Sequence, residues 1–350
     1  MRCCDVRVTA KEPKARATNT KPYLVPLTKV LLDPDLLCYY SQAKEELRIN
    51  MDSREQITAV GDGLLVLAPA KINLSLLIAG KRPDGFHEIE TIMAKIDWYD
   101  EVLIQPGRRA GIELICRGPH WAPDGEDNLV YRAAKSLLES CGLTADIRIT
   151  LTKNIPAGTG LGSASSDAAA TLIGLNHYFK LELDKMKLFE LAAELGSDVA
   201  FFLDGPLAFC TGKGEKIQKL DEIFNFMAIL ILPNISVSTK RVYANYRHNR
   251  RLYKKLKNRI KSYILKNRID LVVKMCTNKL AESCFDLEKS LAELKEAVES
   301  LGIGPCCLSG SGSAMFCIIE SGDEDEAREG MRKLADKIGC KSIIVRNNRW

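Results

Sequence analysis

Residues 156–170 have the sequence PAGTGLGSASSDAAA, a turn rich in glycine and serine that runs directly into alanines. A strand-like segment with alternating apolar residues, ADIRITLTKNIP (145–156), leads into this turn. Its glycines permit positive φ and let backbone N–H groups approach an anion closely. The helix expected to begin near Ser165 directs its unpaired N–H groups to the same point. The stretch therefore predicts a phosphate-binding loop, and a structural turn followed by a serine helix cap is the alternative.

The spacing of this loop fits neither of the two common nucleotide-binding fingerprints. There is no Gly-Lys-Ser/Thr sequence, so the loop is not of the Walker type. The glycines at 158, 160 and 162 also miss the G-x-G-x-x-G spacing of dinucleotide-binding folds.

Two further segments favour the phosphate interpretation. LSGSGSAMF (308–316) is a second Gly/Ser turn between apolar strands, for which a simple hairpin is the alternative. APAKINLSL (68–76) places Lys71 inside an apolar strand. A lysine is costly to desolvate there unless it meets an anion.

From Gly63 onward the sequence alternates between strand and helix patterns, which predicts an α+β fold with two layers and a division near residue 215. LLVLAPAKINLSLLIAG (64–80) predicts two strands broken near Pro69, and CKSIIVRN (340–347) predicts an edge strand. We expect one domain over 61–215 and a second over 216–346.

Composition is that of an ordinary globular protein, with 46% hydrophobic and 27% charged residues. A net charge of +5 suits a phosphorylated substrate without requiring nucleic acid. No apolar run approaches the roughly 20 residues that span a bilayer. The 12 cysteines are scattered without a C-x-x-C and there are 4 histidines, which favours reduced thiols in a cytoplasmic protein and makes a zinc site improbable.

Residues 1–55 differ from the rest of the chain, because their first part is polar and basic without an apolar period. We interpret them as a poorly structured extension or leader. A transit peptide, and with it a plastid location, is the alternative, although the segment is not rich in serine.

The three segments around Lys71, residues 156–170 and residues 308–316 resemble, in this order and spacing, those of the GHMP kinases. The resemblance covers about residues 61–346. It implies the two-layer GHMP kinase fold, with an N-terminal ribosomal-S5-like α/β domain and a C-terminal ferredoxin-like α+β domain. Four more segments are similar to the branch that acts on a methylerythritol carrying a CDP group: KRPDGFHEIETI (81–92), GSDVAFFLDG (196–205), GKGEKI (212–217) and SVSTKRVY (236–243).

This resemblance implies transfer of the γ-phosphoryl group of ATP to the 2-hydroxyl of CDP-methylerythritol, in non-mevalonate isoprenoid synthesis. ATP and Mg²⁺ are the implied cofactors. The implied partner is the small-molecule substrate, with no nucleic acid and no membrane, and the implied assembly is a monomer or homodimer. A sibling GHMP kinase acting on homoserine or mevalonate is the alternative.

The resemblance also implies roles for individual residues. Asp198 would accept the proton of the substrate hydroxyl, and Lys71 would hold Asp198 ionised; a helix N-cap is the alternative for Asp198. The implied nucleotide-binding residues are Pro156, Ala157, Gly158, Thr159, Gly160, Leu161, Gly162, Ser163, Ala164, Ser165, Ser166, Asn128 and Lys153. Asn128 is equally well explained as a helix cap.

At the substrate end, the resemblance implies stacking of cytosine between Phe86 and Tyr243 and hydrogen bonding of its edge to His87. A surface loop position for His87 and a core position for Tyr243 are the alternatives. The remaining implied substrate contacts are Asn73, Thr239, Gly310, Ser311 and Gly312.

The chain departs from the family pattern in three places. Phe86 stands where tyrosine is usual, and Ser163 and Ala164 stand where glycines are more frequent. No acidic metal ligand is evident, because Asp167 lies too early in the helix to assign.

The segment 246–268 is rich in Lys and Arg and contains no acid, which suggests nucleic-acid binding. The alternative is a solvated amphipathic helix, because Leu252, Leu256, Ile260 and Ile264 recur every four residues.

Overall fold

A computed structural model describes residues 55–220, 224–319 and 322–350. Over these residues the chain forms twelve strands and ten α-helices, arranged around two antiparallel-rich sheets. The predicted extension over residues 1–55 lies, except for Glu55, outside the described residues.

The first sheet is built around one long antiparallel hairpin, β2 (Gly63–Lys81) and β3 (His87–Pro106). Strands run in the order β1-β2-β3-β5-β4; β6 pairs with the other half of β3, β7 pairs with β6, and β9 runs parallel to β2. The remaining strands of this sheet are β1 (Ile57–Val60), β4 (Ile112–Arg117), β5 (Ile147–Thr152), β6 (Leu207–Gly212), β7 (Lys216–Lys219) and β9 (Thr277–Asn278).

The expectation of two strands broken near Pro69 is wrong, because β2 continues through this residue. The register against β3 shifts between Pro69 and Ala70, and this bulge accommodates the missing N–H of proline without ending the strand. A second shift lies between Asn73 and Ser75. Lys71 and Asn73 therefore sit on a short segment flanked by two irregularities, where a strand can redirect its side chains.

Four helices accompany the first sheet. Apolar residues of these helices join those of β2, β3 and β5 in one buried cluster. The helix that contains Gly174 packs tightly on the sheet there, since a Cβ atom at this position would lie 2.6 Å from Ile104 Cδ1 and 2.8 Å from Val66 Cγ2. The helices are α1 (Leu129–Ser140), α2 (Ser163–Tyr178), α3 (Lys185–Leu195) and α4 (Val199–Phe202).

The second sheet has the order β10-β11-β8-β12 and is antiparallel throughout. Its strands are β8 (Met227–Leu232), β10 (Cys307–Leu308), β11 (Met315–Ile319) and β12 (Lys341–Arg346). The position of β12 at the edge confirms the prediction for CKSIIVRN. The helices of this part of the chain are α5 (Thr239–Asn245), α6 (Arg250–Leu265), α7 (Ile269–Lys274), α8 (Ala281–Leu287), α9 (Lys289–Ser300) and α10 (Glu324–Ile338).

Segments from beyond the predicted boundary take part in the first sheet. Strands β7 and β9 both follow residue 215, yet both pair within the first sheet. At the C-terminus the backbone N–H of Asn348 donates to the carbonyl oxygen of Lys95, 2.9 Å away. A division into two domains near residue 215 therefore stays a prediction.

The cysteines differ from the expectation of reduced thiols at one pair. Cys276 and Cys307 form a disulfide, with their Cα atoms 5.4 Å apart. The pair is close because β9, which begins one residue after Cys276, runs beside the segment that contains β10.

Helix α6 carries most of the basic segment. Leu256 and Ile264 pack with the buried Ile260 in a second apolar cluster. Leu265 is 75% exposed. This burial is the arrangement expected of an amphipathic helix, and the absence of nucleic-acid binding stays a prediction. None of the helices in the described part of the chain is both long and apolar enough to cross a membrane.

Candidate active site

A cleft of about 910 Å³ lies where β2, the loop 156–165 and the turn at Gly310–Ser311 come together. Most of the predicted site residues line it, from both Gly/Ser segments, the middle of β2, the β2–β3 turn and helix α5. The predicted residues that line it are Lys71, Asn73, Phe86, His87, Pro156–Ser165, Asp198, Thr239, Tyr243, Gly310 and Ser311.

The loop before α2 has the backbone conformation that its glycines allow. Gly158, Gly160 and Gly162 have φ of 72°, 81° and 71°, values that favour glycine. Two backbone hydrogen bonds fix the loop: Lys71 N–H donates to Leu161 O (2.9 Å), and Ala314 N–H donates to Thr159 O (3.0 Å). The loop is thus held between β2 and the second Gly/Ser turn.

Helix α2 begins at Ser163, two residues earlier than predicted, with Gly162 as its N-cap. Ser163 and Ala164 are therefore in its first turn and have no positive φ, so glycine is not required at either position. The first N–H groups of a helix lack intrahelical partners and attract anions. Ser166 does not line the cleft; it is buried, and its backbone N–H donates to Gly162 O.

Lys71 is 3% exposed and is the cation at the centre of the cleft. Its Nζ donates to Asn73 Oδ1 (2.7 Å) and to Gly160 O (2.8 Å), and lies 4.0 Å from Asp198 Oδ2. Burial lowers the pKa of Lys71, and the Asp198 carboxylate partly opposes this shift. The lysine therefore links the phosphate loop to an acidic group, as its burial in an apolar strand predicted.

Asp198 directly precedes α4 but makes no side-chain hydrogen bond to that helix. Its side chain is 31% exposed and faces the cleft beside Lys71. The helix-cap alternative therefore does not account for this residue, and its carboxylate is available to a bound hydroxyl group.

The second Gly/Ser turn contacts the first. Ser309 Oγ donates to Gly160 O (3.0 Å), and the hydroxyl groups of Thr239 and Ser311 are hydrogen-bonded at 2.8 Å. Gly310 has φ of 56°. Gly312 does not line the cleft; a Cβ there would approach Cys284 Sγ and Leu308 Cδ1 at 3.1 Å. The turn is thus more than a hairpin, because it forms one wall of the site.

A group of aromatic side chains also lines the cleft. The rings of His87 and Tyr243 have centroids 5.3 Å apart, and Phe86 is 58% exposed with Lys213 Nζ 4.8 Å from its ring centroid. Burial and the nearby Lys81 lower the pKa of His87 below its usual 6.5. A neutral imidazole carries one donor and one acceptor nitrogen, which suits the edge of a base.

Besides Ser166, two more predicted nucleotide residues lie outside the cleft. Asn128 caps α1, with Oδ1 accepting from Val130 N–H (2.9 Å) and Nδ2 donating to Pro123 O (2.7 Å). Lys153 is 2% exposed and its Nζ is bound by the carboxylates of Asp100 and Asp167. We therefore leave both residues out of the proposed nucleotide site.

Lys153 is expected to stabilise the fold. Its ammonium group is held between two buried carboxylates, which raise its pKa although burial opposes them. Substituting Lys153→Met leaves both acids without their cation, so we expect the free energy of unfolding to fall by about 3–5 kcal/mol. Chemical denaturation measures this loss.

The matched control is Lys135→Met, which removes an exposed ion pair with Glu126. This change is expected to cost far less stability, because an exposed ion pair is solvated and screened by salt. Equal losses for the two variants would contradict a structural role for Lys153.

Comparison with known proteins places the chain in a family. Residues 128–206 match the GHMP kinases N terminal domain, and residues 260–337 match the GHMP kinases C terminal. A 4-diphosphocytidyl-2-C-methyl-D-erythritol kinase of Geobacillus sp. is 37% identical over 282 residues, covering 80% of this chain and 97% of that protein. This chain belongs to that family of GHMP kinases. A relative of the same name from Bacillus cereus is 40% identical over 259 residues, covering 73% and 88%.

Solved structures agree with this family. A crystal structure of 4-(cytidine 5'-diphospho)-2C-methyl-D-erythritol kinase matches with a TM-score of 0.65 and 31% identity, covering 82% of this chain and all of that one. A homoserine kinase from Cytophaga hutchinsonii also matches with a TM-score of 0.65, at 21% identity, covering 85% and 98%. This second likeness shows the fold alone. The chain is thus a small-molecule kinase of the ATP-dependent GHMP family, with its α+β fold.

Sequence reasoning missed three lysines of the cleft, Lys81, Lys213 and Lys240. Lys213 lies in GKGEKI and Lys240 in SVSTKRVY, two segments that carry the family resemblance, but no role was evident for either. Their ammonium groups add positive charge at a site for phosphorylated ligands. Only the structure brings them together, because they come from distant parts of the chain.

Magnesium is compatible with the cleft. Among the described residues, no three His, Cys, Asp or Glu side chains come together as a metal-binding group. Mg²⁺ does not need such a group, since it keeps several waters and is bound by one or two protein oxygens together with substrate phosphates. With Asp167 bound to Lys153, the hydroxyl groups of Ser163 and Ser165 are cleft oxygens that fit.

Proposed function

We propose that this chain transfers the γ-phosphoryl group of ATP to the 2-hydroxyl of 4-(cytidine 5'-diphospho)-2-C-methyl-D-erythritol. The observation that carries the proposal is the layout of one cleft. A glycine-rich loop, the Lys71–Asp198 pair and the rings of Phe86, His87 and Tyr243 all line this one cleft. Such an arrangement suits an acceptor with a reactive hydroxyl at one end and a flat base at the other.

Phosphoryl transfer requires positioning and charge stabilisation more than covalent chemistry. The N-terminal N–H groups of α2 and the loop 158–162 bind the nucleotide phosphates. Asp198 accepts the proton of the acceptor hydroxyl as the hydroxyl oxygen attacks the γ-phosphorus. The bond from that phosphorus to the β,γ-bridging oxygen breaks, and ADP leaves. Lys71, whose Nζ lies 4.0 Å from Asp198 Oδ2, stabilises the negative charge that develops on the transferred group.

Magnesium, when bound, would neutralise negative charge on the nucleotide phosphates. Ser163 and Ser165 would supply protein oxygens. The Mg²⁺ requirement is part of this proposal, and so are a cytoplasmic location and a monomeric or homodimeric state.

The aromatic side chains of the cleft select the base of the acceptor by shape and by hydrogen bonding. Phe86 and Tyr243 offer faces for stacking, and the absence of the usual tyrosine hydroxyl at position 86 leaves the stacking surface intact. Burial and the Asp198 carboxylate raise the pKa of Tyr243, so its hydroxyl stays protonated. Asn73 acts indirectly, because its amide binds Lys71 on one side and Thr91 Oγ1 (2.8 Å) on the other.

Removing the His87 ring is expected to separate the two substrates kinetically. The variant His87→Ala loses a base-edge contact worth about 1–3 kcal/mol, so KM for the cytidylyl substrate rises by about 10- to 100-fold. KM for ATP stays within about twofold, since the phosphate loop is untouched. Equal increases in both KM values would remove His87 from the substrate site. Steady-state kinetics with each substrate varied in turn measures the effect.

A homoserine- or mevalonate-type activity is the competing candidate, because those kinases share this fold. Neither homoserine nor mevalonate carries a base that could stack on the aromatic side chains of the cleft. A coupled ADP-release assay over CDP-methylerythritol, homoserine and mevalonate tests the proposal. We expect turnover with the first alone, and a higher kcat/KM for either of the others would overturn it.

A further inference from the structure

The long hairpin places a second buried lysine beside the first. Lys71 on β2 and Lys95 on β3 are direct cross-strand partners, and they are 3% and 1% exposed. Side chains opposite each other on an antiparallel pair project from the same face of the sheet. Two lysines on one buried face are unusual, because each must recover the cost of desolvation.

Both lysines reach the same short segment, one at each end. Lys71 Nζ lies near the carboxylate of Asp198, which precedes α4. Lys95 Nζ donates to the carbonyl oxygens of Phe202 (3.1 Å) and Asp204 (2.6 Å), at and just beyond the last residue of that helix. The last carbonyls of a helix have no intrahelical partners and favour a cation.

The side chain of Asp204 is bound elsewhere. Its Oδ1 accepts from Lys185 Nζ (2.7 Å) and from Gly205 N–H (2.8 Å). Lys95 therefore meets backbone carbonyls at this segment, and burial lowers its pKa to about 7. The hydrogen bonds of Lys95 therefore fix the position of the backbone at residues 202 and 204.

We infer that Lys95 is a positioning residue for Asp198. By binding the carbonyl groups at the end of α4, it fixes the single helical turn whose start presents the Asp198 carboxylate to Lys71. This role rests on the proposed function of Asp198 as the base. It adds a residue that contacts neither substrate and does not line the cleft.

The test is the variant Lys95→Met, which keeps the length of the side chain and removes its donors. Because a misplacement of about 1 Å at a reacting group costs up to about 100-fold, we expect kcat per folded enzyme to fall by about 10- to 100-fold. KM for ATP and for the acceptor should stay within about twofold, since the phosphate loop and the aromatic side chains of the cleft are unchanged. A lysine that only stabilised the fold would lower the melting temperature and leave kcat per folded enzyme unaltered.

The matched control is Lys185→Met, which removes the exposed side-chain contact to Asp204 and leaves the carbonyl contacts in place. It should keep the wild-type kcat. The variant Lys95→Arg keeps charged donors and should recover part of the lost kcat. If Lys95→Met does not fold, Lys95→Leu takes its place with the same expected result.

Three contrary outcomes are distinguishable. An inactive wild type contradicts the proposed function. An active wild type whose kcat is matched by Lys95→Met or its replacement contradicts only the role of Lys95. An arginine variant no more active than the apolar one also contradicts positioning by hydrogen bonds.

Discussion

The variant Asp198→Asn is expected to lower kcat by about 10²- to 10⁴-fold, the usual contribution of a general base. Asparagine has nearly the same shape as aspartate but cannot accept the hydroxyl proton. Lys71 lies 4.0 Å from the present carboxylate and is held independently by Asn73 and Gly160, so the cleft should keep its form. The dissociation constant for ATP should therefore change by no more than about threefold.

Pre-steady-state or steady-state turnover together with calorimetric titration of ATP measures both quantities. The matched control is Asp204→Asn, six residues further on, where the carboxylate is bound by Lys185 and does not line the cleft. Retention of most of kcat in Asp198→Asn would remove the base assignment.

The variant Gly160→Ala is expected to disrupt the phosphate loop. A Cβ at this position would overlap the carbonyl oxygen of Ser309 and lie 3.2 Å from the carbonyl oxygen of Gly312. Both obstacles are backbone atoms of the second Gly/Ser turn, so neither can rotate away. Displacing the two turns by about 1 Å should lower kcat/KM for ATP by about 100-fold.

The control for this variant is Gly158→Ala. Gly158 has a similar positive φ of 72°, but a Cβ there meets nothing within 4 Å. It should show only the cost of a left-handed conformation, about 1–2 kcal/mol of stability. Equal kinetic losses in the two variants would show that backbone strain, and not the contact between the turns, determines the effect at Gly160.

The sequence predicted those parts of the site that lie within single segments. The glycine spacing, the apolar strand around Lys71 and the acid at Asp198 each have a local pattern. The family resemblance joined these segments, and the structure brings them to one cleft.

The features that the sequence did not predict depend on contacts between distant residues. Lys153 precedes the loop closely enough to suggest a nucleotide contact, but its partner Asp100 comes from β3, 53 residues earlier. A buried cation with two acids cannot be distinguished from a phosphate ligand without knowing where those acids fold. The predicted strand break near Pro69 is wrong for a related reason. Proline alone predicts a break, but pairing with β3 continues the strand through this residue.

The departure at Ser163 and Ala164 is resolved by the position of the helix start. Sequence comparison placed them in the loop, where glycine would matter. Because α2 begins at Ser163, both have ordinary helical conformations, and we expect nucleotide binding not to depend on glycine at either position.

Phosphorus NMR of the reaction product tests the central claim most directly. With ATP and CDP-methylerythritol, we expect one new phosphomonoester signal that grows as ADP forms. The two signals of the acceptor's diphosphate should remain. This result places the new phosphate on a carbon-bound hydroxyl of the acceptor. ADP release without a new phosphomonoester signal, or loss of the diphosphate signals, would contradict phosphorylation of this acceptor by this chain.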